Sequence, residues 1–194
     1  IDQLYRLSIE NYYKISPSIS LYETVQKVKL ALDSYYAKLC NRINLEWMRC
    51  VKEAGGMTSV HALRQQDFYE SQIKPIQKKV VVIISDALRY EVAQELIGVL
   101  AKRQHIAHLN LGIAMLPSET KFCKPALLPH HELRLYGEEN GTQNMGVDNR
   151  ILDSTAKRTE QVDSYRSGAI CVDYEVVGKY DQDKNREIFK HPLV

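Results

Sequence analysis

The stretch VVVIISDALRYEVAQEL, residues 80–96, decides how the rest of the chain is read. Val80 to Ile84 form an unbroken, β-branched apolar run. Such a run suits a central parallel strand covered on both faces. It leads directly into Ser85-Asp86. Leu88, Val92, Leu96 and Leu100 then recur every fourth residue, which predicts an amphipathic helix over about 88–102. Strand followed at once by helix is the opening of an α/β unit. Ligands of open α/β sheets sit at the carboxyl ends of the strands, and Asp86 is placed at such an end. A carboxylate there suits a hard or borderline cation. Capping of the following helix is the competing role for Asp86.

Downstream, the α/β pattern continues. Strands are expected at 106–115, 131–136 and 168–173. Helices are expected at 120–128, 150–162 and 183–190, with a polar loop over 137–149. The fold class is α/β, a mainly parallel sheet with flanking helices, preceded by a long helical segment. The second strand closes on MLPSETKFCKPALLPHH, residues 115–131. Thr120 falls at the start of the next helix. There free backbone N–H groups and the positive end of the dipole favour a phosphate or an alkoxide. A metal nearby would lower the hydroxyl pKa and make it a nucleophile. Capping by Ser118 or Thr120 is the alternative. His130 and His131 lack His-Glu-x-x-His spacing, so a surface or supporting role is expected for them.

Upstream, residues 1–77 read as a helical extension. Ser20-Leu21-Tyr22-Glu23 has the form of a capping box. Val25, Val28, Leu32, Tyr35, Leu39, Ile43 and Trp47 then repeat at helical spacing up to Gly55-Gly56, a natural stop. A helix of that length spans about 50 Å and needs a partner for its apolar stripe. A second helix is expected over about 59–73. The division is thus 1–77, helical, and 78–194, α/β.

Composition narrows the function classes. Hydrophobic residues make up 44% of the 194 and charged residues 26%, which is globular rather than disordered. A net charge of +2 is too small to argue for a nucleic-acid surface, and direct nucleic-acid binding is not expected. No apolar run approaches the roughly 20 residues that span a bilayer, and no secretory leader opens the chain. The cysteines at 40, 50, 123 and 171 form no metal-type pair, which fits thiols in a reducing, cytoplasmic setting. The chain opens on Ile1 and closes on the apolar Pro192-Leu193-Val194. Both ends are expected to be cuts in a longer protein.

With Asp86 and Thr120 delivered to one edge by successive strands, the pattern is that of metal-assisted phosphoryl or sulfuryl transfer. VVVIISDALRYEVAQEL and LPSETKFCKPALLPH together resemble the PglZ domain family, a branch of the alkaline phosphatase superfamily found in BREX and phage-growth-limitation defence systems. LYRLSIENYY and LEWMRCVKEAG resemble the region that precedes the PglZ core. The specific part of the resemblance is residues 78–130. It implies Asp86 as a metal ligand and Thr120 as a nucleophile that also binds metal. It further implies a divalent metal, zinc, in a two-metal site completed only in the full-length protein. The implied partners are other phage-defence proteins, with a phosphoester as substrate. The implied function is metal-dependent phosphoester hydrolysis in the intact protein, the fragment itself being inactive. A catalytically silent scaffold of the defence complex is the alternative. If the resemblance holds, Asp86 and Thr120 should lie within roughly 4 to 6 Å of each other, close enough to share a metal. The chain departs from the family pattern after the nucleophile. A hydrophobic residue and then Gly-Met-Ala-Ala before Leu-Leu-Pro is replaced by Phe122-Cys123-Lys124-Pro125-Ala126. Because proline is tolerated only near a helix start, the helix is expected to begin later than in the family. Lys124 is expected to add charge beside a phosphate.

Overall fold

The structure is a computed structural model describing residues 1–137 and 141–194. Its contacts divide the chain into two compact units, Ile1–His61 with Leu88–Asn110, and Ala62–Ala87 with Leu111–Val194.

The first unit is helical: α1 (Asp2–Tyr13), α2 (Tyr22–Glu53) and α3 (Tyr90–Lys102). Polar and aromatic contacts join α1 to α2. The rings of Tyr5 and Tyr36 stack with centroids 3.8 Å apart. Tyr5 donates to Asp33 (2.9 Å) and Tyr36 to Asp2 (2.8 Å). Glu91 in the first turn of α3 is buried, and it accepts from Arg6 of α1 (3.1 Å) and from Arg89 (2.6 Å). Arg6 also pairs with Glu10 and Glu95. The acid at the start of α3 and Lys102 at its end both complement the helix dipole.

The long helix α2 ends where the glycines predict. Gly56 N–H bonds to Val51 C=O (2.9 Å) and Gly55 N–H to Lys52 C=O (3.1 Å), with Gly55 at φ +87°. That is a Schellman motif, and it needs a residue that accepts positive φ. The capping box at the other end does not form. The N-cap is Leu21, with no side-chain hydrogen bond, so Ser20 lies one residue outside the position from which a hydroxyl reaches the first turn. Along α2 only Val51 is buried, and Val28, Tyr35, Ile43 and Trp47 of the apolar stripe are exposed.

The second unit holds the sheets. β1 (Leu63–Arg64) pairs in parallel with β2 (Gly112–Ile113). β3 (Leu133–Gly137), β4 (Gln143–Val147) and β5 (Arg150–Ile151) form an antiparallel meander. α4 (Thr120–Ala126) packs on β4, and α5 (Thr155–Tyr165), α6 (Tyr174–Val177) and α7 (Gln182–Ile188) follow. Tyr69, Ile73, Leu128, Val147, Leu152, Val162, Ala169 and Leu193 make the core, with Val80 and Val82 against it.

The fold is mixed α/β, but the mainly parallel sheet is corrected by the structure. Residues 80–84 form a single parallel bridge, Val80 with Leu193, rather than a strand. Backbone bonds link Val80 N–H to Pro192, Val82 N–H to Val194 and Val194 N–H to Val80. Among the described residues this pairing involves Val80 and Val82 only. Ile83 is 76% exposed. The segment 168–173 is likewise not a strand: Gly168 lies in a turn at φ +80°, and Ile170 N–H bonds to Leu193 C=O (3.0 Å). Of 106–115 only Gly112–Ile113 is strand. The helix expected over 59–73 is instead two 3₁₀ turns, the short β1 and one π turn, Tyr69–Ile73. The loop expected over 137–149 contains β4, and its residues 138–140 lie outside the described residues. α5 starts at Thr155, after β5, because Ser154 caps it by accepting from Lys157 N–H (3.3 Å).

Candidate active site

Asp86 lies four residues past Val82, the last paired residue of its segment, in a turn where Ala87 has φ +53°. Thr120 is the first residue of α4. The local reason is Glu119, which takes an extended N-cap conformation while its carbonyl accepts from Phe122 and Cys123 N–H (2.9 Å each). Neither residue caps a helix. The N-cap of α3 is Arg89 and that of α4 is Glu119, both without side-chain cap bonds. The Thr120 hydroxyl instead donates to Asp86, 3.1 Å from Oδ1 and 3.2 Å from Oδ2. Two exposed side chains 34 positions apart therefore meet in direct contact.

α4 runs from Thr120 with Pro125 inside it. The helix tolerates this by being seven residues long and tightening at its end, where Leu127 N–H bonds to Lys124 and Leu128 N–H to Pro125. Lys124 sits in the last turn of α4, four residues after Thr120 and so on the same helix face. An open cleft of about 380 Å³ is lined by Pro117, Glu119, Lys121 and Phe122, among others, and Thr120 is not part of its lining. Lys121 pairs with Glu119 (3.4 Å) and lies 4.8 Å over the Phe122 ring.

As a donor set, Asp86 and Thr120 offer a carboxylate and a hydroxyl, hard oxygen ligands that suit a divalent cation. Among the described residues no group of three or more His, Cys, Asp or Glu side chains is placed to hold one. The pair therefore fits part of a metal shell, two of the about four donors that zinc takes. The histidines are engaged elsewhere. His130 Nδ1 lies 2.7 Å from Leu128 C=O, and the His131 ring packs 5.2 Å from that of Tyr165.

Sequence reading missed Asp148, a residue with strong structural constraints. It turns β4 into β5 with Asn149, at φ +48° and +65°. These are the angles of a two-residue I′ hairpin, which Asp and Asn tolerate. Its carboxylate accepts from His131 N–H (2.8 Å), Glu132 N–H (2.9 Å), Tyr165 Oη (2.8 Å) and the buried Gln161 (2.9 Å). Burial alone would raise its pKa. The backbone bonds from Glu132 and His131, with Tyr165 and Gln161, outweigh burial and bring it down to about 2. Burial and the same carboxylate push the Tyr165 phenol well up. Asp148 and Tyr165 line a second cleft, of about 710 Å³. The available signal was Asp148-Asn149 between two short apolar stretches.

Comparison with known proteins follows the same segment. The PglZ family, described as the BREX system PglZ alkaline phosphatase-like domain, matches residues 68–193. The alkaline phosphatase-like protein BrxZ of Escherichia coli O9:H4 (strain HS) is 44% identical over 84 residues, covering 40% of this chain and 10% of that protein. The alkaline phosphatase-like protein PglZ of Bacillus cereus (strain H3081.97) is 29% identical over 129 residues, covering 64% of this chain and 15% of that protein. The chain thus corresponds to a small part of the length of these relatives. No solved structure matches it.

Proposed function

This chain belongs to the PglZ family of alkaline phosphatase-like domains, and from that premise we propose that it carries part of a metal-dependent phosphoesterase site in a phage-defence protein. The observation that carries the reading is the 3.1 Å contact between Thr120 and Asp86. Thr120 is the nucleophile. Its Oγ1 forms a bond to phosphorus as the bond to the leaving alcohol breaks, and water then displaces the threonine and frees orthophosphate. Asp86 orients the hydroxyl, takes its proton on one carboxylate oxygen as the bond to phosphorus forms and passes it to the leaving alcohol, and with Thr120 it would hold a divalent cation, zinc by the chemistry of the superfamily. When bound, that cation supplies positive charge that stabilises the phosphoryl oxygens and lowers the hydroxyl pKa. The remaining ligands come from parts of the full-length protein outside residues 1–194. The partners are other proteins of the defence system, in the cytoplasm. Among the described residues no helix is long and apolar enough to cross a membrane.

The test is made on the full-length protein, by metal analysis and by turnover of an aryl phosphate. Asp86→Ala should abolish metal binding, and Thr120→Ala should weaken it and lower turnover by at least about a thousandfold. Full activity in both variants would refute the assignment. The exposed stripe of α2 favours a second reading, a scaffold that binds partners and hydrolyses nothing. A full-length protein that purifies without metal and turns over no phosphoester would support it.

A further inference from the structure

We infer that Gln65 is a positioning residue for Thr120, an inference that rests on the reading of Thr120 as the nucleophile. Gln65 follows β1, and the register Leu63 with Gly112 and Arg64 with Ile113 sets it beside the chain leaving β2. Both halves of its half-buried amide are used. Oε1 accepts from Met115 N–H at 3.0 Å, and Nε2 donates to Cys123 C=O at 3.0 Å. The second bond meets a need that α4 creates. Leu127 N–H, which would close a regular turn onto Cys123 C=O, bonds to Lys124 instead, so that carbonyl lacks its helical partner. The Cys123 thiol closes the loop from the other side, 3.6 Å from both Met115 C=O and Pro117 C=O.

Met115, Gln65 and Cys123 thus form a ring of hydrogen bonds, and Thr120 sits on the chain between residues 117 and 123. The strand end and the helix that carries the hydroxyl are held at a fixed separation by one amide. The Gln65 amide bonds to Met115 and Cys123, not to Asp86 or Thr120, and acts only through the backbone that bears Thr120. Misplacing a nucleophile by about 1 Å costs on the order of a hundredfold in rate, which sets the scale of the expected effect.

Two variants test this in the full-length protein. Gln65→Met keeps the length and removes both hydrogen bonds. Gln65→Glu keeps the acceptor for Met115 but turns a carboxylate toward Cys123 C=O, and regains a donor there only when protonated. The first readout is amide hydrogen exchange over residues 115–126, together with alkylation of Cys123 by iodoacetamide. Both should accelerate at least about tenfold in Gln65→Met, with melting of the whole protein nearly unchanged. The second readout is turnover of p-nitrophenyl phosphate. kcat should fall about ten- to a hundredfold with KM within twofold, and in Gln65→Glu the deficit should shrink as pH falls toward 5. Wild-type exchange and alkylation in both variants would overturn the inference, as would unchanged kcat in an active protein. If the wild-type protein hydrolyses nothing, the proposed function falls, and the exchange and alkylation rates decide on their own whether Gln65 holds the Thr120 segment.

Discussion

Replacing Asp148 by Asn should destabilise the second unit at neutral pH and do almost nothing near pH 2. The carboxylate has a pKa of about 2 in the folded chain against an ordinary value of 3.8. A depressed carboxylate contributes stability that is fully present above the ordinary value and is lost as pH falls through the folded one. The window is therefore about pH 4 down to about pH 2. The gap corresponds to at most about 2.5 kcal/mol, and partial solvent access reduces it to about 1–2 kcal/mol. Asn keeps the left-handed turn and one oxygen for the N–H groups of His131 and Glu132. Its NH₂ then faces the Gln161 amide, which is also a donor, so a favourable bond becomes an unpaired contact. The expected loss at pH 7 is about 2 kcal/mol. Urea unfolding of wild type and Asp148→Asn, followed by circular dichroism at pH 7, 4, 3 and 2, measures the difference directly. Titration of other acids affects both proteins and cancels. A difference that stays constant across this range would refute the argument, because the charge would then not be the source of the stability.

Further outcomes follow from the same geometry. Tyr165→Phe removes one of the four donors to Asp148 and should cost about 1 kcal/mol in the same unfolding experiment. Glu91→Gln should destabilise the helical unit by about 2–3 kcal/mol in thermal melting, because it removes the buried charge that Arg6 and Arg89 both address. Gly55→Ala has room for its methyl group, so backbone strain at φ +87° alone should lower stability by about 1 kcal/mol, visible as fraying of the last turn of α2 in hydrogen exchange. Residues 1–194 alone should bind zinc weakly or not at all by titration calorimetry and should not hydrolyse an aryl phosphate. Tight stoichiometric zinc would show that the ligands are misassigned.

The longer helices could be read from the sequence, and the sheet could not. The extent of α2 follows from a spacing of three and four and from two glycines, since helical hydrogen bonds close within the same segment. α3 lies within the pattern set by Leu88, Val92, Leu96 and Leu100, and its buried acid was in view as a residue, though its partner Arg6, 85 positions away, was not. Asp86 and Thr120 were marked by residue type at two junctions between apolar run and helix. A strand has no such internal closure. Val80 to Ile84 carry every local mark of one, yet only Val80 and Val82 are paired, because a β-ladder extends only as far as a neighbouring segment supplies N–H and C=O groups. The same reason hid β4 inside a polar stretch, where pairing with β3 outweighs poor local propensity. It also hid Asp148 and Gln65, whose bonds reach across 17 and 58 positions to groups that only the folded chain brings near. What the sequence by itself determined is therefore what depends on neighbours within about four residues: helix periodicity, helix stops and the residue types at the junctions. The tertiary structure alone decided which extended segments became strands, and that the hydroxyl of Thr120 lies against the carboxylate of Asp86, since both require distant backbone to be brought into hydrogen-bonding range.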